Sequence, residues 1–132
     1  MVVSVAGSLR TIADEKTLSL FRTIASEPAN TEILKNKLKL SRKQYYMRIS
    51  ALTKSGLIKR RDGIYHLSSL GKIVNSAQIL IGKAINNYWK LKAIDSIESS
   101  RDHIGFSKEE RRKILDSLIE GEPEIRDILL KT

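Results

Sequence analysis

The sequence predicts a mainly α-helical fold with one small β-hairpin. Three observations lead there. Apolar residues recur at three- and four-residue spacing through most of the 132 residues. Two capping boxes, Ser41 with Gln44 and Ser107 with Glu110, mark helix starts. The period changes to two only on either side of Asp62-Gly63, the residue pair best suited to a tight hairpin turn. A chain of this length has room for one compact domain, or a small domain with an appendage. Apolar residues at 41% can fill a core, and charged residues at 30% cover its surface, so the chain is expected to fold.

The elements follow in order. Residues 1–13 carry Val2, Val3 and Val5 without a sustained period, so they read as a flexible start or a short edge strand. Asp14 can cap a helix in which Leu18, Phe21, Ile24 and Ala25 share a face, ending before Pro28. Asn30 or Thr31 can cap a short second helix with Ile33, Leu34 and Leu38 inward. A third helix starts at Ser41 and runs to about 55, where Gly56 supplies the left-handed position that ends helices cheaply. A two-residue turn at Asp62-Gly63 pairs Arg61 with Ile64, Arg60 with Tyr65 and Ile58 with Leu67. Ile58, Tyr65 and Leu67 then share one face, and Lys59 and Arg61 point to the other.

Beyond the hairpin, Ser69 can cap a long helix running to about 98. Its apolar stripe holds Ile73, Val74, Ala77, Leu80, Ile81, Ala84, Ile85, Tyr88, Leu91 and Ile94, with Gly82 a weak spot or a close-packing point. A polar turn is expected around 99–105. Ser107 opens a further helix with Ile114, Leu115, Leu118 and Ile119 inward and Gly121 past its end, and Pro123 suits the first turn of a last short helix. The expected domains are thus an N-terminal segment at 1–13, a helical and hairpin domain at 14–69, and a helical extension at 70–132.

Composition narrows the function classes. With no Cys, disulfides, thiolate metal sites and thiol catalysis are excluded, and a reducing cytoplasm fits. No N-terminal targeting pattern appears, and no stretch reaches the roughly 18 apolar residues that span a bilayer, so neither secretion nor a membrane is expected. His66 and His103 are isolated, and no metal-ligand spacing exists. No phosphate-cradling glycine loop, nucleophile elbow or paired carboxylate in an apolar setting occurs, so no enzyme, no metal and no cofactor is expected.

The net charge of +9 is concentrated. Residues 33–61 hold ten basic residues and no acidic one, leaving 14 basic and 15 acidic for the other 103. A solvated charged face normally mixes both signs. One-signed concentration is the footprint of a surface that binds a polyanion.

Three helices, the second and third separated by a short turn, precede the basic hairpin. The run Leu40-Ser41-Arg42-Lys43-Gln44-Tyr45-Tyr46-Met47-Arg48-Ile49, then Leu52-Thr53-Lys54-Ser55-Gly56-Leu57-Ile58, then Tyr65-His66-Leu67-Ser68-Ser69-Leu70-Gly71, resembles the winged helix-turn-helix transcription regulators of bacteria and archaea. The resemblance covers about residues 14–75. It implies a Ser-led recognition helix at about 41–55 and a charged wing at about 57–67, and hence binding of double-stranded DNA.

Within that reading, Tyr45, Ile49 and Leu52 form the stripe that seats the third helix. Ser41, Arg42, Lys43, Tyr46 and Met47 lie toward the end that enters a major groove, Lys54 suits a phosphate, and Arg48 is either a flank contact or a partner in an internal ion pair. Lys59, Arg60 and Arg61 can reach backbone or a flanking minor groove, or serve only to protect an edge strand. Lys35, Lys37 and Lys39 are either phosphate contacts or solvated charge. Trp89 and Tyr88 read as core or interface packing.

The expected assembly is a homodimer using Ile73, Ala77, Leu80, Ile81, Ala84, Tyr88 and Leu91, unless the C-terminal helices fold back over that stripe. No effector ligand can be read from the residues. The alternatives to a DNA-binding regulator are a winged-helix protein-interaction module within a larger transcription or chromatin assembly, and an RNA-binding protein, for which exposed stacking aromatics are few.

Overall fold

In a computed structural model, which describes residues 3–99 and 107–131, the N-terminal segment is neither loose nor a strand. Ser4 accepts a hydrogen bond from the Gly7 amide at 2.9 Å and starts α1 (Val5–Ile12). Ser8 and Ile12, four residues apart, are buried, while Val3 and Val5 stay exposed. A cap and an inward stripe thus outweigh the strand preference of the valines. The Thr11 and Ser55 hydroxyls meet at 2.7 Å, tying α1 to the end of the third helix of the sequence reading.

By its contacts the chain divides into two compact units, Met1–Ala77 and Gln78–Thr132. In the first, Asp14 caps α2 (Glu15–Ser26) and Asn30 caps α3 (Thr31–Leu38), each accepting from the amide three residues on. Lys39, at φ 52°, makes the turn into α4 (Arg42–Lys54). The capping box of α4 is complete, with both Ser41 and Gln44 side chains bonded to the backbone of the other. Gly56, at φ 76°, follows its end. Ile33 departs from expectation. It is exposed, because this two-turn helix turns only Leu34 and Leu38 inward.

The hairpin forms as expected. β1 (Ile58–Arg61) and β2 (Ile64–Leu67) are antiparallel with Ile58 opposite Leu67, Arg60 opposite Tyr65 and Arg61 opposite Ile64. Asp62 and Gly63 both have positive φ, at 53° and 78°. A feature absent from the sequence reading joins it: the Tyr65 amide donates to the Ala29 carbonyl at 2.9 Å, so the segment between α2 and α3 pairs with β2 for one residue. The core of this unit gathers Leu20, Phe21, Ile24, Leu34, Tyr45, Leu52 and Leu57, all fully buried, with Ile58, Tyr65 and Leu67 from the hairpin.

The helix after the hairpin, α5 (Ser69–Asn86), starts one residue earlier than its expected cap allows. Ser68, not Ser69, accepts from the Gly71 amide at 2.9 Å. The long helix expected to reach 98 is two helices, α5 and α6 (Tyr88–Ser99), and the break falls at Asn87 rather than at Gly82. The Asn87 side-chain amide donates to the Lys83 carbonyl at 2.8 Å, the competition with backbone bonding that makes Asn a poor helix former.

In the second unit, α7 (Lys108–Leu118) is capped by Ser107, and α8 (Pro123–Lys131) begins at the expected proline. Ile94, Leu115, Ile119 and Ile125 are buried together, with Leu80, Ala84 and Leu91 packed against them. Arg111 donates to Glu98 on α6 and to the Leu129 carbonyl on α8, both at 3.0 Å. The polar turn expected around 99–105 lies from 100 onward outside the described residues, as does His103.

Candidate nucleic-acid interface

The basic segment maps onto α3, α4 and β1, all in the first unit. α4 is seated by Tyr45, Ile49 and Leu52, whose four- and three-residue spacing puts them on one side. Burying each contributes about 1.5–3 kcal/mol. Tyr45 has a polar anchor too, since its hydroxyl donates to Thr31 Oγ1 at 3.1 Å. Burial pushes that hydroxyl above its ordinary pKa, which keeps it a neutral donor.

The opposite side of α4 is open to solvent. Lys43 and Lys54 are exposed there, Arg42 is exposed at its flank, and Tyr46 and Met47 keep 48% and 57% of their surface exposed. The Tyr46 ring stands edge-on to Tyr45 with centroids 5.2 Å apart, and the Arg42 guanidinium lies 6.0 Å from its centre. Ring and cation thus sit at the outer limit of cation–π range at the N-terminal end of the helix. That end also carries the positive pole of the helix dipole, which favours an anion.

Arg48 stands apart from this group. Its side chain is only 12% exposed, with Nε 3.1 Å from the Asp14 carboxylate and Nη1 donating to the Gln44 carbonyl at 3.2 Å. Of the two roles open to it from sequence, the structure places it in the internal ion pair. Lys37 lies 3.7 Å from Glu27 across an exposed pair.

The hairpin divides its cations by strand alternation. Arg60 shares a face with Tyr65 and rests over that ring at 5.6 Å. Lys59 and Arg61 point to the other face with His66. This split follows from the expected register, with Arg60 opposite Tyr65 and Arg61 opposite Ile64.

The residues expected to make a dimer interface also separate. Leu80, Ala84 and Leu91 pack within the second unit, whereas Ile73, Ala77, Ile81 and Tyr88 are exposed, Ile73 at 69% and Ile81 at 52%. Among the described residues no cluster of three His, Asp or Glu could hold a metal, and no helix is long and apolar enough to cross a membrane. No protein-family model, curated protein or solved structure matches the chain.

Proposed function

We propose that the chain is a DNA-binding transcriptional regulator that reads duplex DNA with α4 and steadies it with the hairpin. The observation that carries this reading is the exposed face of α4, where Lys43, Tyr46, Met47 and Lys54 stand away from the buried Tyr45, Ile49 and Leu52, with Arg42 exposed at its flank. At 13 residues α4 is about 20 Å long, a size that a major groove about 12 Å wide admits. Arg42, Lys43, Tyr46 and Met47 would meet base edges, and Lys54 and Arg60 phosphates. The order α2, Ala29 bridge, α3, α4, β1, β2 supports the winged helix-turn-helix resemblance seen in the sequence.

One recognition helix reads few base pairs, so the proposal includes a homodimer that places two copies on neighbouring half-sites. Its contact would use Ile73, Ala77 and Ile81, the part of the expected interface that stays exposed. A monomer mass by light scattering at micromolar concentration removes the dimer and leaves the DNA reading standing.

Titration of the purified chain with random duplex, single strands and A-form RNA over a salt series tests the central claim. Duplex should bind best, with affinity falling steeply as salt rises, by about −0.9 in log–log slope per phosphate contact. A flat salt response, or no duplex binding at all, overturns the proposal and favours a protein-interaction module. Preference for single strands or A-form duplex makes the partner RNA.

A further inference from the structure

The outer face of the hairpin does more than carry charge. Lys59, Arg61 and His66 project from it into a cleft of about 520 Å³ whose far wall is the start of α5, with Lys72, Asn75 and Ser76. Ala25 and Pro28 line it as well, over the buried Ile24 and Leu67. Three features set the cleft apart from a chance gathering of surface lysines. It is concave and of the size that holds a small organic molecule. Three permanent cations line it and no carboxylate does, and among the described residues none of the three is within an ion-pair distance of an acidic group. Its wall mixes those cations with side chains that form neutral hydrogen bonds and with apolar surface, the combination that binds an anionic head and a flat or apolar body together.

We infer that this cleft binds a small phosphorylated molecule of nucleotide size. Phosphate is favoured over a single carboxylate because one negative charge cannot balance Lys59, Arg61 and Lys72 together, whereas a diphosphate can. The Arg61 fork suits two phosphate oxygens at once, and each lysine serves as a mobile point charge. Ser76 on the same wall can serve a sugar hydroxyl or a base, and Ala25 and Pro28 offer apolar surface for a ring. The alternation of β1 keeps this site separate from the α4 face, since Arg60 turns toward Tyr65 while its neighbours on either side turn away. The cleft would hold its ligand whether or not α4 meets DNA.

The test is calorimetric titration of the full chain at low salt with ADP, pyrophosphate and adenosine. ADP and pyrophosphate should bind, and adenosine should bind at least about tenfold more weakly, since the charge-assisted bonds are lost with the phosphates. Lys72→Gln and Arg61→Gln should each weaken ADP about tenfold while leaving the thermal midpoint in place, and Arg42→Ala should leave ADP binding unchanged. Absence of binding by both phosphorylated probes, or binding indifferent to Lys72→Gln and Arg61→Gln, overturns the inference. Loss of duplex binding in Lys72→Gln without any ADP binding overturns it too, making the cleft a DNA backbone contact. ADP binding by a chain that ignores duplex refutes the DNA proposal alone.

Discussion

Arg48 and Asp14 lock α4 to the first turn of α2, with guanidinium Nε 3.1 Å from the carboxylate that also caps α2 through the Thr17 amide. One carboxylate therefore serves the helix it starts and the helix that bears the proposed reading face. The Thr17 hydroxyl and amide, and then the Arg48 charge, hold the Asp14 carboxyl below its usual 3.8. A carboxyl so lowered binds its proton less readily folded than unfolded. Its contribution to stability is complete above the unfolded value and is lost as pH falls through the lower folded one. The difference in urea midpoint between the native chain and Asp14→Asn should accordingly shrink between about pH 5 and about pH 2. Arg48→Met should lower the midpoint and leave the salt slope of duplex binding unchanged. A shallower slope in that variant would return Arg48 to the DNA contacts.

Adjacent tyrosines should behave oppositely. Tyr45→Ala removes a fully buried ring and should cost about 3–5 kcal/mol, and Tyr45→Phe about 1 kcal/mol for the bond to Thr31. Tyr46→Ala should leave the midpoint within about 0.5 kcal/mol and weaken duplex binding. Chemical denaturation of the three variants decides it, and a large stability loss at Tyr46 would put that ring in the core.

Reading and positioning should separate along α4 and β1. Arg42→Ala or Lys43→Ala should lower affinity for a selected duplex by about 1–3 kcal/mol and relax preference at one base pair. Arg60→Ala should weaken selected and unrelated duplexes alike and make the salt slope shallower by about one. Selection from random duplexes, followed by titration of each variant, checks both. A change of sequence preference in Arg60→Ala alone would make the hairpin the reader.

Gly71→Ala should be among the most damaging single-methyl additions in the chain. Its Cβ would run into the carbonyl oxygen of Leu57, which already accepts from the Ser68 amide. Since neither backbone can give way cheaply, the loss should exceed the 1–3 kcal/mol typical of overpacking. Gly82→Ala, where a methyl meets nothing within 4 Å, is the control and should stabilise α5 slightly. Equal midpoints for the two variants would mean that the Leu57 turn relaxes freely.

The parts of this structure that were legible in the sequence are those decided within a few residues. Asp62-Gly63 favours a two-residue turn with positive φ at both positions, and that turn dictates every pairing of the hairpin. The Ser41-Gln44 box starts α4, and from that start the spacing of Tyr45, Ile49 and Leu52 names its buried side. What was missed depends on distant or competing terms. The partner of Arg48 is 34 residues away. α1 is hidden because Val2, Val3 and Val5 around its start favour strands while its buried side is only Ser8 and Ile12. Two adjacent serines before α5 are equivalent until Gly71 bonds to one of them. The break at Asn87 is masked because apolar residues continue in helical step on both sides.

Each unit has its own buried cluster, and α5 contributes to both: Leu70 and Val74 pack in the first, Leu80 and Ala84 in the second. The backbone of one helix is thus held by two separate sources of protection against solvent. Such units can open independently, and the second, whose buried hydrophobic side chains among the described residues are all aliphatic, lacks the large aromatics Phe21 and Tyr45 that anchor the first. Its amides should exchange with solvent sooner, and the boundary between slow and fast exchange should fall inside α5, near Ala77, rather than at either end of the helix.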